Sequence, residues 1–333
     1  MVRYQSPTIG TTHMSEYANN AALVTGANSG LGFEAAAQLA ELGYGSVMLA
    51  CRTQDKADAA ASALRERTGA DVFDTLVVDV GVVESSRKAV AELVAGARSF
   101  DVVLLNAGMV PSRLDRTEDG IEVCFAASLV GHHIIATELL EAGLLDQASV
   151  VLVGSEAANN DLPKLMGMSV YDFVLGQPSE FGATDAEAMK NFATAADGPD
   201  YNGQRQYATT KVVSAWWSAA MARRHEGSTR FFTVSPGANM GTAADRNATG
   251  PFKAMIAVMG KVGRYIGMDQ PVPVGAKRYL DVAHGTGGPY RSGGTYTSKP
   301  KKMTGPLVER TPDHLTDTAR QDTSLAVLDE LVR

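Results

Sequence analysis

An α/β fold built on a doubly wound parallel sheet is predicted by three observations. Short apolar runs and amphipathic stretches take turns from residue 21 to about residue 155. Within each run polar and apolar residues do not alternate, as expected of strands covered by helices on both faces. The run–stretch–run order continues without an internal repeat or low-complexity segment, which is the pattern of one continuous sheet rather than of stacked modules. A length of 333 residues is long for one domain but within reach of a single α/β unit.

The first strand is expected at 21–25, closed by Gly26, and a helix follows over 31–42. The second strand is placed at 46–51 and its helix, rich in Ala, Arg and Glu, at 55–67. A third strand at 72–80, a helix near 84–97 and a fourth strand at 101–106 continue the series. A long helix at 120–142 leads to a fifth strand at 149–155, and a sixth strand falls at 231–234. Two regions break the rhythm. Residues 157–203, with Pro163, Pro178 and Pro199 and a short helical patch at 185–192, read as an insertion on the carboxyl edge of the sheet. Residues 238–272 gather Met240, Met255, Met259 and Met268 with Phe252, Ile256 and Tyr265 around a helix. They read either as an adaptable apolar lid or as ordinary helix packing. After residue 285 the chain is read as irregular until a final helix near 313–331. The expected organisation is a polar extension at 1–20, one domain over 21–300, and a tail with a helix at 301–333.

Composition narrows the partners. A hydrophobic share of 45% suits a full core, and a net charge of -7 with no basic run argues against a nucleic acid. Cys51 and Cys124 are the only cysteines and sit in apolar surroundings, as buried thiols of a reducing compartment do. Residues 1–20 lack the apolar core of a signal peptide, and no run of about 18 apolar residues suggests a membrane helix, so the chain is read as cytoplasmic. No metal site is expected.

The first strand runs directly into Thr25-Gly26-Ala27-Asn28-Ser29-Gly30-Leu31-Gly32. Glycines let the backbone turn sharply and approach a phosphate, while the helix behind them offers free amides and the positive end of its dipole. The spacing is Gly-x-x-x-Gly-x-Gly rather than Gly-x-Gly-x-x-Gly. At the end of the second strand, Ala50-Cys51-Arg52-Thr53 presents an arginine where an acid would select the free ribose hydroxyl of NAD. Arg52 therefore favours NADP(H) over NAD. Asp79, with Val80 beside it, is placed either to contact an adenine edge or simply to turn the chain at a strand end. Tyr207 and Lys211 stand four residues apart, on one face of a helix. A cation beside a phenol favours the phenolate and lowers a pKa that is ordinarily about 10, making a proton carrier for an alcohol or carbonyl oxygen.

Taken in order, Thr25-Gly26-x-x-x-Gly30-x-Gly32, Asn106-Ala107-Gly108, Ser155, Tyr207-x-x-x-Lys211 and Ser235-Pro236-Gly237 resemble the markers of the short-chain dehydrogenase/reductase family across residues 21–285. The resemblance implies a Rossmann-type fold. It implies that Tyr207 is the general acid/base, Ser155 hydrogen-bonds the substrate oxygen, and Lys211 holds the nicotinamide ribose. Asn106-Ala107-Gly108 would line the cofactor, with Pro236 and Gly237 flanking the nicotinamide. Two departures stand out. Many members carry Asn in a stretch resembling Asn-x-x-Gly-His, where Ser128 stands here ahead of Gly131-His132. That Asn supports a water that links the lysine to solvent, so Ser128 implies a relay in modified form. His132 and His133 are assigned to helix packing or exposure. The long stretch between Ser155 and Tyr207 resembles carbonyl reductases, retinol dehydrogenases and protochlorophyllide reductases. In the carbonyl-reductase-like members such an insertion covers the helix used for tetramer assembly, which is compatible with a monomer and leaves a homo-oligomer open.

The expected activity is thus NADP(H)-dependent interconversion of a carbonyl and an alcohol, on a bulky apolar small molecule. Reduction of a carbon–carbon double bond and non-catalytic sensing of NADP are the competing readings; the sensor is disfavoured because it needs neither Ser155, Tyr207 nor Lys211.

Overall fold

The computed structural model describes residues 15–162, 167–196, 198–239 and 269–333. The expected lid residues Met240, Phe252, Met255, Ile256, Met259, Tyr265 and Met268 lie outside these, as does Pro163 of the insertion.

β1 (Ala21–Thr25) and β2 (Ser46–Cys51) pair in parallel, Ala22 opposite Val47, and both bury nearly every side chain. Helix α1 (Gly30–Leu42) connects them and ends at Gly43, whose φ of 92° is the left-handed stop that glycine adopts freely. Helix α2 (Gln54–Thr68) is started by Thr53, whose hydroxyl accepts the Lys56 N–H, and it leads to β3 (Phe73–Val77). Helix α3 (Val83–Ala95) precedes β4 (Val102–Leu105). Helix α4 (Val123–Glu141) carries a π-helical turn at Ala126–Val130 and leads to β5 (Ser149–Val153). The insertion holds the short helix α5 (Asp185–Thr194) and is followed by α6 (Gly203–Arg224), then β6 (Arg230–Val234). Helix α7 (Val272–His284), β7 (Thr295–Thr297), β8 (Val308–Glu309) and helix α8 (Thr318–Leu331) complete the described chain.

The sheet order is β3-β2-β1-β4-β5-β6-β7-β8. All pairs are parallel except β7 with β8. The order reverses between β1 and β4, so the loops after these two strands part and leave a crevice at the carboxyl edge. One apolar core under α1, α2 and α7 fills the first face of the sheet. The other, under α3, α4 and α6, fills the second. Helix α8 packs across α6 and α5, outside this second layer. The insertion adds Tyr171, Phe173, Phe181 and Phe192, which meet edge to face and reach Phe125 of α4 at 5.9 Å.

Several expectations need correction. β3 stops at Val77, so Asp79 and Val80 lie beyond the strand rather than closing it. Helix α4 starts at Val123, because Gly120 at φ 75° turns the chain and the Glu122 carboxylate caps the Phe125 N–H at 2.9 Å. The stretch after 285 contains β7, which extends the parallel sheet with Thr295 opposite Thr233, and β8 at its edge. These strands are too short to show a pattern in sequence. The final helix is divided at Asp317, whose carboxylate caps α8. Finally, α4 is long and apolar enough to cross a membrane, contrary to the expectation of no such span; most of it is buried against the sheet, which accounts for its composition.

Candidate active site

The strands of the parallel series deliver the site residues to one edge. After β1, Gly26 turns at φ +66°, and a side chain there would crowd the Asn106 amide at 3.1 Å. A Cβ on Gly32 would stand 2.6 Å from both Asn106 Nδ2 and Gly26 O. Asn106 therefore packs directly beneath the glycine loop, and its Nδ2 donates to Thr25 O at 2.9 Å. The Thr25 hydroxyl oxygen accepts the N–H groups of Asn106 and Ala107 at 2.8 and 3.0 Å, which joins the ends of β1 and β4. Ser29 opens α1 without a side-chain cap. The first amides of that helix thus face the crevice unsatisfied by a capping side chain, with half-buried Asn28, Ser29, Gly30 and Leu31 around them. Arg52, at the end of β2, is exposed and forms no ion pair among the described residues. An anionic dinucleotide fits this set: free helix amides for a pyrophosphate and an unpaired guanidinium for a ribose phosphate.

Ser155 follows β5 and caps a single turn, its hydroxyl accepting the Ala157 N–H at 3.2 Å. It also hydrogen-bonds the hydroxyl of Tyr207. Tyr207 lies on α6, half-buried, and burial pushes its phenol up to about 12 despite that hydrogen bond. One turn on, Lys211 is buried, and burial pulls its ammonium down to about 8. Its Nζ donates to Val153 O at 2.8 Å and lies 5.7 Å from the centre of the Tyr207 ring. In this structure burial outweighs the lowering of the phenol expected from this amine, whose ammonium is turned to the carbonyl at the end of β5. A Cβ on Gly108 would meet Ser128 Oγ at 3.4 Å and Lys211 Nζ at 3.8 Å, so these groups share one wall. Ser128 Oγ is fully buried and has no hydrogen-bond partner among the described residues, the condition of an atom that holds a water.

Other expected residues are more committed. Asp79 Oδ1 accepts the Gly81 N–H at 3.0 Å, closing the turn that was the simpler of its two readings. Val80 is buried in the core, and its carbonyl accepts the Gly131 N–H at 2.9 Å. The approach is close enough that a Cβ on Gly131 would stand 2.4 Å from that oxygen. Pro236 and Gly237 follow β6 at the same edge, and Gly237 adopts φ +75° with no room for a side chain. His132, assigned in sequence to helix packing or exposure, is buried. Its Nδ1 donates to Ser128 O at 2.9 Å, and its Nε2 accepts from the Thr25 hydroxyl at 2.9 Å, because that oxygen already accepts two amides. It ties the π-helical turn to the glycine loop, and the Gly131-His132 pair was its only trace in sequence. His133 bonds Trp217 and Asp329, both by its ring, in line with a packing role. Glu156 and Arg278, which meet beneath Ser155, were missed in sequence.

The short chain dehydrogenase family model matches residues 20–171. Retinol dehydrogenase 13 of Homo sapiens is 34% identical over 119 residues, 36% of this chain and 36% of its own length. The chloroplastic protochlorophyllide reductase of Chlamydomonas reinhardtii is 29% identical over 242 residues, 70% of this chain and 59% of its own. The chain therefore spans about a third to six-tenths of the length of these curated relatives. An uncharacterised protein of Mycobacterium paratuberculosis, of known structure, shares the fold with a TM-score of 0.66 over 96% of both chains, at 20% identity. The matched segment ends in the insertion that follows Ser155, and Tyr207 and Lys211 return to the same sheet edge, so over this segment the chain is similar to the short chain dehydrogenase family.

Proposed function

We propose that this protein is an NADP(H)-dependent oxidoreductase that interconverts a carbonyl and an alcohol, with Tyr207 as general acid/base. The observation that carries this reading is the meeting of Ser155, Tyr207 and Lys211 beside an uncapped helix terminus and its glycine loop. The α1 amides and the Gly26–Gly32 loop would hold the pyrophosphate, Arg52 the 2′-phosphate, and Lys211 the nicotinamide ribose. Asn106, Ala107, Gly108, Pro236 and Gly237 would line the rest, with the turn at Asp79 and Val80 near the adenine. When bound, the nicotinamide supplies or accepts the hydride. Ser155 and Tyr207 then face the substrate oxygen, where charge develops, and two hydroxyl donors stabilise it. A phenol held at about 12 stays protonated near neutrality, which is the form that gives a proton to a nascent alkoxide. The reverse reaction needs the phenolate and so gains from high pH. Ser128 would hold a water behind Lys211 and return the proton from solvent.

An apolar alcohol or carbonyl is supported by relatives named retinol dehydrogenases, and a cytoplasmic, monomeric protein forms part of the same proposal. The test is NADPH consumption with aldehydes and ketones, including long apolar ones. Tyr207→Phe should lower kcat by roughly 10²–10⁴-fold, and a variant that kept its activity would sink the assignment. The match to protochlorophyllide reductase over 70% of the chain favours a second reading. Conjugated enones reduced at carbon–carbon double bonds, with simple carbonyls untouched, would establish it. NADPH binding without turnover of either class would point to a sensor.

A further inference from the structure

Glu156 directly follows Ser155, yet its side chain turns away from the crevice into the protein and is 5% exposed. Three elements converge on its carboxylate. Ser235, just past β6, donates its hydroxyl to Oε2. Ser298, just past β7, gives Oε1 a hydroxyl at 2.9 Å and an amide at 3.3 Å. Arg278 of α7, also 5% exposed, reaches Oε1 at 3.4 Å. A buried carboxylate–guanidinium pair is costly unless its remaining donors and acceptors are met. Here Arg278 also donates to Ser235 O at 3.3 Å, to Ser298 Oγ at 3.2 Å and to Gly305 O.

The pair reaches the crevice on two sides. Glu156 is covalently joined to Ser155. On the other side, Ser235 Oγ accepts the Gly237 N–H at 3.1 Å while its proton goes to Glu156. A Cβ on Gly237 would lie 2.8 Å from Arg278 Nη1, so the guanidinium is the floor on which this loop turns. We propose that Glu156 and Arg278 are a positioning pair that fixes the separation between the Ser155 hydroxyl and the Pro236–Gly237 loop. Neither residue touches the substrate. The proposal rests on the function given above, because it makes the pair matter for the geometry of transfer rather than for binding alone.

Amide hydrogen exchange on the ligand-free protein and steady-state kinetics with NADPH test it together. The variants are Glu156→Gln and the double variant Glu156→Gln/Arg278→Met, which leaves no lone buried charge. Both should exchange the Gly237 amide about tenfold faster or more, and lose about tenfold or more in kcat with the carbonyl KM within about threefold, as small misplacements at a reacting centre do. If both fail to fold, Ser235→Ala keeps the ion pair and removes only its hydroxyl link to Gly237, where exchange must still quicken. Unchanged exchange in any folded variant overturns the proposal, as does faster exchange with unchanged kcat. Absence of turnover in the native protein would overturn the proposed function instead, and the exchange measurement would still decide whether the pair holds the loop.

Discussion

Burial moves Tyr207 and Lys211 in opposite directions, the phenol up to about 12 and the ammonium down to about 8. Both shifts disfavour the charged form, so the site at neutral pH holds a protonated phenol beside a cation close to losing its proton. The KM for NADPH is therefore expected to rise as pH passes about 8, where Lys211 becomes neutral; a flat KM between pH 7 and 10 would separate Lys211 from the cofactor. Arg52 makes a different prediction. Its replacement by Ala should raise the NADPH KM by roughly tenfold or more and leave NADH unaffected, since only the 2′-phosphate needs the guanidinium. Equal losses with both cofactors would show that it reads no phosphate. Tyr207 and Lys211 stood out in sequence because their spacing puts them on one helix face, Ser155 only through the resemblance, and the structure brings all three to one sheet edge. Glu156 did not stand out, because its partners lie at positions 235, 278 and 298 and no spacing announces them.

Helix α4 shows the same divide at the scale of an element. Its apolar composition announced a helix, while the π-helical turn at Ala126–Val130 and the work of His132 became visible only in packing. A neutral His132 joins this turn to Thr25, and burial brings its imidazole down to about 4. The unfolded chain takes up this proton near pH 6.5, the folded one only near pH 4, so the stabilisation is complete above 6.5 and is lost as pH falls through that window. The shift corresponds to roughly 3 kcal/mol. Denaturant titrations at pH 7.5 and 4.5 should show a loss of that order, much reduced in His132→Gln; an equal loss in the variant would assign the acid sensitivity to other groups. The strands of the first half were readable for the converse reason. β1, β2 and β4 are almost wholly apolar runs and β3 an apolar run broken only at Asp74 and Thr75, whereas β7 and β8 have three and two residues and are defined by their neighbours alone.

At the scale of the whole molecule, α8 covers α6 and reaches α5, and the aromatic cluster of the insertion backs onto α4. The outer face of α6 is thus already covered by the chain itself. A monomer is the expected state, and light scattering should return a mass near 35.1 kDa; four times that value would mean that assembly uses another face. The Glu156–Arg278 pair also has a consequence for the order in which this protein comes into being. A chain growing on the ribosome has every family marker, from the glycine loop to Ser235-Pro236-Gly237, before Arg278 is added. At that stage Glu156 has no counter-ion, and enclosing it would leave a bare carboxylate in the interior. On the proposed role of the pair, the crevice takes its final geometry only after the marker-bearing part has been made. It waits for the segment that ends at Gly305.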